Sequence, residues 1–432
     1  MRHTLRIAIV LALLAVPLLS PPAKAAPGME VALQDDAVMV YRYYYDRERA
    51  LQHARELQVT WLRTNVLWSV AAGKQANSRR TPRRLRYDFS AWDALIDRAA
   101  AHHINVQVTL TGPAPRFATG NGRIGVHRPS VRYFRKFVAA AVHHFKGRVH
   151  RYAIWNEPNH VGWLSPLRRS GALYRSLYAN GYSVIKSIDP GAQVLIAETS
   201  PRGRRGISLS PLRFLRQATC ARRDYRPARP CGRLEADGYA HHAYDLERPP
   251  AAKYPGSDNV TIGTMGRLTS GLDRLAASGL LTTPAGAPLD VYVTEYGYIQ
   301  TGRFRQPEAR RASYLAQAFE IAQRNPRVRQ MLQYQLVRPT RKWAFFDTAI
   351  VGRNGKPQRS YRVLAGWAQA AVQQGRILAP YVPPPPPPGE EQPPPDQGPA
   401  PPPGGQPPPP PPPPPGTGPC PPVPPGLPCP PL

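Results

Sequence analysis

Between residues 26 and 382, short apolar runs alternate eight times with amphipathic stretches. The runs are rich in Val, Ile, Leu, Thr and Tyr and read as buried strands. The stretches between them repeat apolar positions every three or four residues and read as helices. Strands are predicted at Val31–Gln34, Thr60–Val66, Asn105–Thr111, Tyr152–Asn156, Gln193–Ala197, Asp237–His242, Asp290–Thr294 and Val328–Leu336. The helices predicted after them are Arg47–Leu57 with Asp46 as N-cap, Ala91–His103 capped by Ser90, Ser130–Phe145, Gly171–Ile188, Pro211–Ala218, Met265–Ser278, Pro307–Arg324 and Ser360–Gln374. Tyr133, Phe134, Phe137, Val138 and Val142 fall on one helical stripe, as do Tyr174, Leu177, Tyr178 and Tyr182. Both stripes read as core faces rather than cofactor contacts. Strict strand–helix alternation demands a parallel sheet, and eight units close it. The fold expected is α/β, a single (β/α)8 TIM barrel over residues 26–382.

The two ends follow other patterns. Arg2, His3 and Arg6 precede an apolar run from Ile7 to Leu19, followed by Ala23-Lys24-Ala25. This is the layout of a secretory signal peptide, residues 1–25, cut after Ala25. The run is shorter than the about 20 residues of a membrane span. From Pro383 to Leu432 the chain is Pro and Gly with Glu390, Glu391 and Asp396, and without Lys or Arg. Such a tract cannot bury a core, so a disordered, extended polyproline-II spacer is expected over 383–432. A secreted, extracellular chain favours disulfides, which makes Cys220–Cys231 the expected pair. Cys420 and Cys429 lie in the tail, free to pair with each other or with another chain. The spacing lacks the paired C-x-x-C of zinc sites, and no metal is expected.

The chain carries 57 Lys and Arg against 27 Asp and Glu, a net +30. Three basic residues in the leader and three acids in the tail cancel, so the whole +30 belongs to the barrel. Most of it is Arg, scattered rather than blocked: a solvated surface, with an anionic cell-envelope polymer or acidic polysaccharide as a candidate partner. No nucleic-acid module accompanies the charge, which argues against that partner in an exported chain. No G-x-G-x-x-G follows a strand and no P-loop is present, so no cofactor is expected. The chain is read as a monomer.

The chemistry sits at two strand ends. The fourth strand ends in Trp155-Asn156-Glu157-Pro158 and the seventh in Thr294-Glu295-Tyr296-Gly297. A carboxylate there adds little to packing but stands at the barrel mouth, where active sites lie. Two of them are what cleavage of a glycosidic bond requires. Glu157 is the acid/base, kept protonated by burial and by its neighbour. Glu295 is the nucleophile and must stay ionised. A configuration-retaining pair stands about 5–5.5 Å apart. Glu198, after the fifth strand, is a rival carboxylate that either lines the cleft or, as favoured, supports the rim. Of the adjacent histidines, His241 is expected to pack inside the barrel and His242 to reach the site. Trp68, Trp163 and Trp343 are candidate sugar platforms or ordinary packing aromatics.

Asn156-Glu157-Pro158, with Glu295 138 residues further on, resembles glycoside hydrolase clan A, whose catalytic glutamates end strands four and seven. The nearest likeness is to the family 5 cellulase-like and family 39 xylosidase-like enzymes. It implies a retaining hydrolase of poly- or oligosaccharides. It also implies roles for further residues. Arg63, in Trp61-Leu62-Arg63-Thr64-Asn65, matches an arginine beside the nucleophile. His242-Ala243-Tyr244 matches H-x-Y, whose tyrosine hydrogen-bonds the nucleophile. Asn156 matches the contact to the hydroxyl next to the anomeric carbon. Ala349–Pro357 is similar to the stretch before the last helix. The pattern departs after the eighth strand, where Gln335-Leu336-Val337-Arg338-Pro339 holds no aromatic and Trp343 is the nearest tryptophan. The other class weighed is a non-catalytic carbohydrate-binding or envelope protein on a decayed barrel. Retention of both glutamates favours the enzyme.

Overall fold

The computed structural model describes residues 28–340 and 346–381. The segment expected to be a signal peptide, the proline-rich segment with Cys420 and Cys429, and Trp343 lie outside them. Eight strands form the barrel: β1 Glu30–Gln34, β2 Trp61–Leu67, β3 Asn105–Thr111, β4 Arg151–Ile154, β5 Gln193–Thr199, β6 Gly238–His242, β7 Val291–Glu295 and β8 Val328–Tyr334. Each pairs in parallel with the next. β1 closes the ring on β8, in register from Glu30 opposite Gln330 to Gln34 opposite Tyr334. The outer helices are α1 Arg47–Glu56, α2 Ser90–Ala101, α3 Val131–Phe145, α4 Ser170–Ile188, α5 Pro211–Ala218, α6 Met265–Ala277, α7 Glu308–Gln323 and α8 Arg359–Gln373. The architecture is the (β/α)8 barrel expected from the alternation.

Local chemistry sets the boundaries. The Asp46 carboxylate accepts from Arg49 N at 2.9 Å and caps α1. Ser90 is not the cap of α2 but its first residue; the Asp88 carboxylate accepts from Ser90 N at 3.0 Å. β4 stops at Ile154, because Trp155 and Glu157 turn left-handed, at φ 68° and 38°. β5 runs two residues further than expected through a bulge, with Ala197 at φ 91° and Glu198 at φ 45°. β8 ends two residues early, at Tyr334. A parallel pair, Leu234–Glu235 with Leu281–Thr282, lies apart from the barrel. Two dipeptides are too short to carry a periodicity, so the sequence does not announce it.

The barrel is filled, not hollow. At its amino end the Arg151 guanidinium lies 3.7 Å from the Trp61 ring centre and 4.6 Å from that of Tyr292. It donates to both Glu30 oxygens at 2.7 and 2.8 Å, to Gln193 at 2.8 Å and to Gln330 at 2.9 Å. Five other strands thus converge on one side chain. A buried cation is tolerated here because it is paired, stacked and held by four hydrogen bonds. Ala153, Leu195 and Ala240 pack with Tyr292 as a small apolar cluster. Cys220 and Cys231 form a disulfide between α5 and β6. Past α8, Leu378 N donates to Met29 O at 3.1 Å, joining the two ends of the described chain beside the strand starts. No helix among the described residues is long and apolar enough to cross a membrane.

Candidate active site

At the carboxyl ends of the strands the centre of the mouth is Arg63, fully buried on β2. Its Nε and Nη2 grip both oxygens of Glu198, at 2.9 and 2.7 Å. Nη1 donates to Glu295 Oε1 at 2.8 Å and to Gln34, and Nη2 also reaches Asn156 Oδ1 at 2.7 Å. A planar five-donor fork is the side chain that can do this. Burial pushes its pKa down, but Glu198 and Glu295 more than offset that, and the net shift is upward. Glu198 therefore does not line the cleft; it supports the mouth from below. It is a fully buried counter-charge that also accepts from Thr109 at 3.0 Å.

Glu295 ends β7 and Glu157 follows β4, and they meet at His242, which ends β6. His242 Nδ1 lies 2.9 Å from Glu157 Oε1 and 3.4 Å from Glu295 Oε2. One oxygen of each glutamate and this nitrogen all fall within 4.8 Å of one another. The Tyr244 hydroxyl donates to Glu295 Oε2 at 3.1 Å. Glu157 and Glu295 keep 17% and 12% of their side chains exposed, so a ligand can touch both. His241 turns the other way, to the helix side of β6 and not into the barrel as expected, and bonds Thr199 and the Val260 carbonyl. Asn156 is anchored through its Oδ1, which accepts from Arg63.

Burial drives the titration of the pair. It raises Glu157 well above the usual carboxylate range, aided by the charge of Glu295. It also raises Glu295, to about 7, while Arg63 pulls that group back down. Burial thus favours a protonated Glu157, while Arg63 and the Tyr244 hydroxyl favour the ionised form of Glu295. Burial and the Arg63 charge hold His242 well below its usual range, so it is neutral, and its buried Nε2 has no partner. Glu157, His242 and Glu295 are close enough to share a cation. Arg63, 2.8 Å from Glu295, already supplies the positive charge there and repels another.

The aromatic candidates separate. Trp68 is fully buried and stacks on Phe137, so it is core and not a platform. The Trp163 carbonyl accepts from the Trp155 indole at 2.7 Å, fixing the loop that carries Glu157. Trp343 lies outside the described residues. With β8 ending at Tyr334, an aromatic does stand at this strand end. Its ring lies 6.0 Å from Phe346, and burial and then the charge of Glu295 raise its hydroxyl. Asp35, pushed up to about 7 by burial, accepts from Leu336 N and Val337 N at 3.1 and 3.0 Å and holds the turn after Tyr334. Gln34, Thr109, Glu198 and Tyr334 form the ring around the expected residues. Each is a polar or aromatic group in a strand's last few positions, which is the signal that could have found them.

No protein-family model matches the chain, and no curated protein does. Solved structures do. A family 39 glycoside hydrolase from the gut symbiont Bacteroides cellulosilyticus is similar at TM-score 0.57 and 17% identity, over 79% of this chain and 64% of that one. A monomeric beta-xylosidase from Caulobacter crescentus is similar at TM-score 0.53 and 17% identity, over 80% and 69%. Native xylanase 10B from Thermotoga maritima is similar at TM-score 0.51 and 14% identity, over 80% and 97%. The chain has the fold of the clan A glycosidases. It spans less than two thirds of the Bacteroides protein but nearly all of the length of the Thermotoga xylanase, so what it shares with them is the barrel itself.

Proposed function

We propose that this protein is an exported, configuration-retaining glycoside hydrolase acting on a poly- or oligosaccharide, with the barrel at residues 26–382 as its catalytic domain. The observation that carries the reading is the approach of Glu157 and Glu295 to within 4.8 Å, oxygen to oxygen, at the barrel mouth. Retaining pairs stand about 5–5.5 Å apart, whereas inverting pairs leave room for a water at about 6.5–9.5 Å. Glu295 attacks the anomeric carbon as the bond to the departing oxygen breaks, and Glu157 gives that oxygen its proton. Water then gives a proton back to Glu157 and its oxygen to the anomeric carbon, freeing Glu295. Arg63 holds Glu295 Oε1 and Tyr244 holds Oε2, which together fix the carboxylate that attacks. Asn156 Nδ2 donates toward the hydroxyl beside the anomeric carbon, a bond that strengthens as charge develops. His242 links acid to nucleophile, and Tyr334 supplies an aromatic at the end of β8.

The purified chain is assayed on a panel of aryl glycosides and polysaccharides headed by beta-xylosides, with Glu157→Gln beside it. Proton NMR then reads the anomer released first. Retention with loss in the variant supports the reading. Release of the inverted anomer, or no turnover on any substrate, overturns it.

A further inference from the structure

Cations beside several strand starts are matched, while two groups of arginines on the mouth side are not. Near the starts, Arg327 pairs with Asp273 at 2.7 Å and Asp290 at 2.8 Å, Arg329 with Asp290 at 2.9 Å, and Lys186 with Asp237 at 2.8 Å. On the mouth side, the loop between β2 and α2 exposes Arg79, Arg80, Arg83, Arg84 and Arg86, none with an acidic partner among the described residues.

The loop between β5 and α5 repeats this excess in a concave setting. A pocket of about 590 Å³ opens there, lined by Arg204, Arg205 and Arg213 with Ser208, Ser210 and Asn259. Its one carboxylate, Asp258, is already held by Arg216 through two bonds at 2.9 and 2.6 Å. Arg204, Arg205 and Arg213 are exposed and engage neither an acid nor a side-chain acceptor among the described residues. The loop is tied directly to the strand end that carries Glu157. Glu157 N donates to Glu198 O at 3.1 Å and Val161 N to Ile207 O at 2.8 Å. Asn159 Nδ2 reaches Ser200 O at 3.0 Å and Leu209 O at 2.8 Å.

We propose that this pocket holds an acid group (carboxylate, sulfate or phosphate) of the glycan whose bond the site cleaves, and that the substrate is therefore an anionic polysaccharide. The inference rests on the glycosidase reading and names its substrate class. Guanidinium forks match such oxyanions two bonds at a time, and a neutral glycan offers nothing to satisfy three of them. Glu157 protonates the departing oxygen, so the pocket beside it takes the departing side of the chain. The arginines around the mouth raise the local concentration of such a polymer, an effect that salt screens.

The test measures binding apart from turnover. The full chain carrying Glu295→Gln is titrated calorimetrically with polygalacturonate, dextran sulfate, a phosphomannan, neutral dextran and a single-stranded DNA oligonucleotide. The tightest polysaccharide names the acid group. Arg204→Ala/Arg205→Ala/Arg213→Ala is expected to weaken that binding tenfold or more. Arg79→Ala/Arg80→Ala/Arg83→Ala, which removes the same charge elsewhere on the mouth side, is expected to weaken it threefold or less. Melting curves verify that both variants fold. Equal losses in the two variants overturn the pocket. So does tighter binding of the oligonucleotide than of every acidic polysaccharide. Failure of the wild-type chain to cleave any glycoside removes the glycosidase reading alone, because the binding comparison is read without turnover.

Discussion

Arg63 decides more at this site than either glutamate, because two carboxylates and the side-chain amides of Gln34 and Asn156 depend on one buried guanidinium. Arg63→Met leaves Glu198 fully buried without its counter-charge. Breaking a buried pair in this way costs about 3–5 kcal/mol, so the variant is expected to melt far below the parent as well as lose turnover. A melting curve like the wild type's would mean that Glu198 finds another partner. The pH profile follows from the same charges. The active form has Glu295 ionised and Glu157 protonated. Glu295 is raised to about 7, so turnover falls as pH drops through that region; Glu157 is raised further, so the alkaline fall comes later. The kcat/KM profile on an aryl glycoside is expected to peak at neutral to mildly alkaline pH. An optimum near the ordinary carboxylate range would show that solvent relaxes the burial of the pair.

The elements were legible where a period ran long enough to be counted. All eight strands and eight helices of the ring appear in order, since each buries one face over several residues. What periodicity could not show is where a strand stops for chemical reasons. Trp155, Glu157, Ala197 and Glu198 adopt left-handed backbone at the mouth, a strain of about 1–3 kcal/mol each that no residue pattern announces. The same limit hid Tyr334: with β8 drawn out to Leu336, the aromatic at its true end looked like a strand interior. Glu198 was visible as a carboxylate, but its partner is 135 residues away, and only folding brings Arg63 to it. At the other end of the elements, the Cys220–Cys231 bridge closes a short arginine-rich loop between α5 and β6. Its chain-entropy contribution is about 2.5–3 kcal/mol. Cys220→Ser/Cys231→Ser is expected to lower the melting temperature by several degrees and leave KM unchanged, since the loop lies away from the mouth. A changed KM would show coupling between the two ends of the barrel.

For the molecule as a whole, the described chain ends beside the strand starts, where the Tyr381 ring lies 4.6 Å from that of His103. The last described residue before the proline-rich segment therefore lies at the end opposite Glu157. Ending the chain at Val382 is expected to leave both the melting temperature and turnover on a small soluble glycoside unchanged. A drop in either would mean that the segment returns to the barrel. The arginine plug at that same end has a consequence for the order of events. Arg151 and its ring of strand-start partners fill the floor, so the two glutamates are reached from the mouth. On the proposed mechanism, the water that releases the sugar from Glu295 enters by the way the departing glycan leaves. Departure therefore has to come first, and a long glycan clears the threshold more slowly than a short one. During that wait a small alcohol able to slip past competes with water for the bound sugar, and the product mixture records which arrived first.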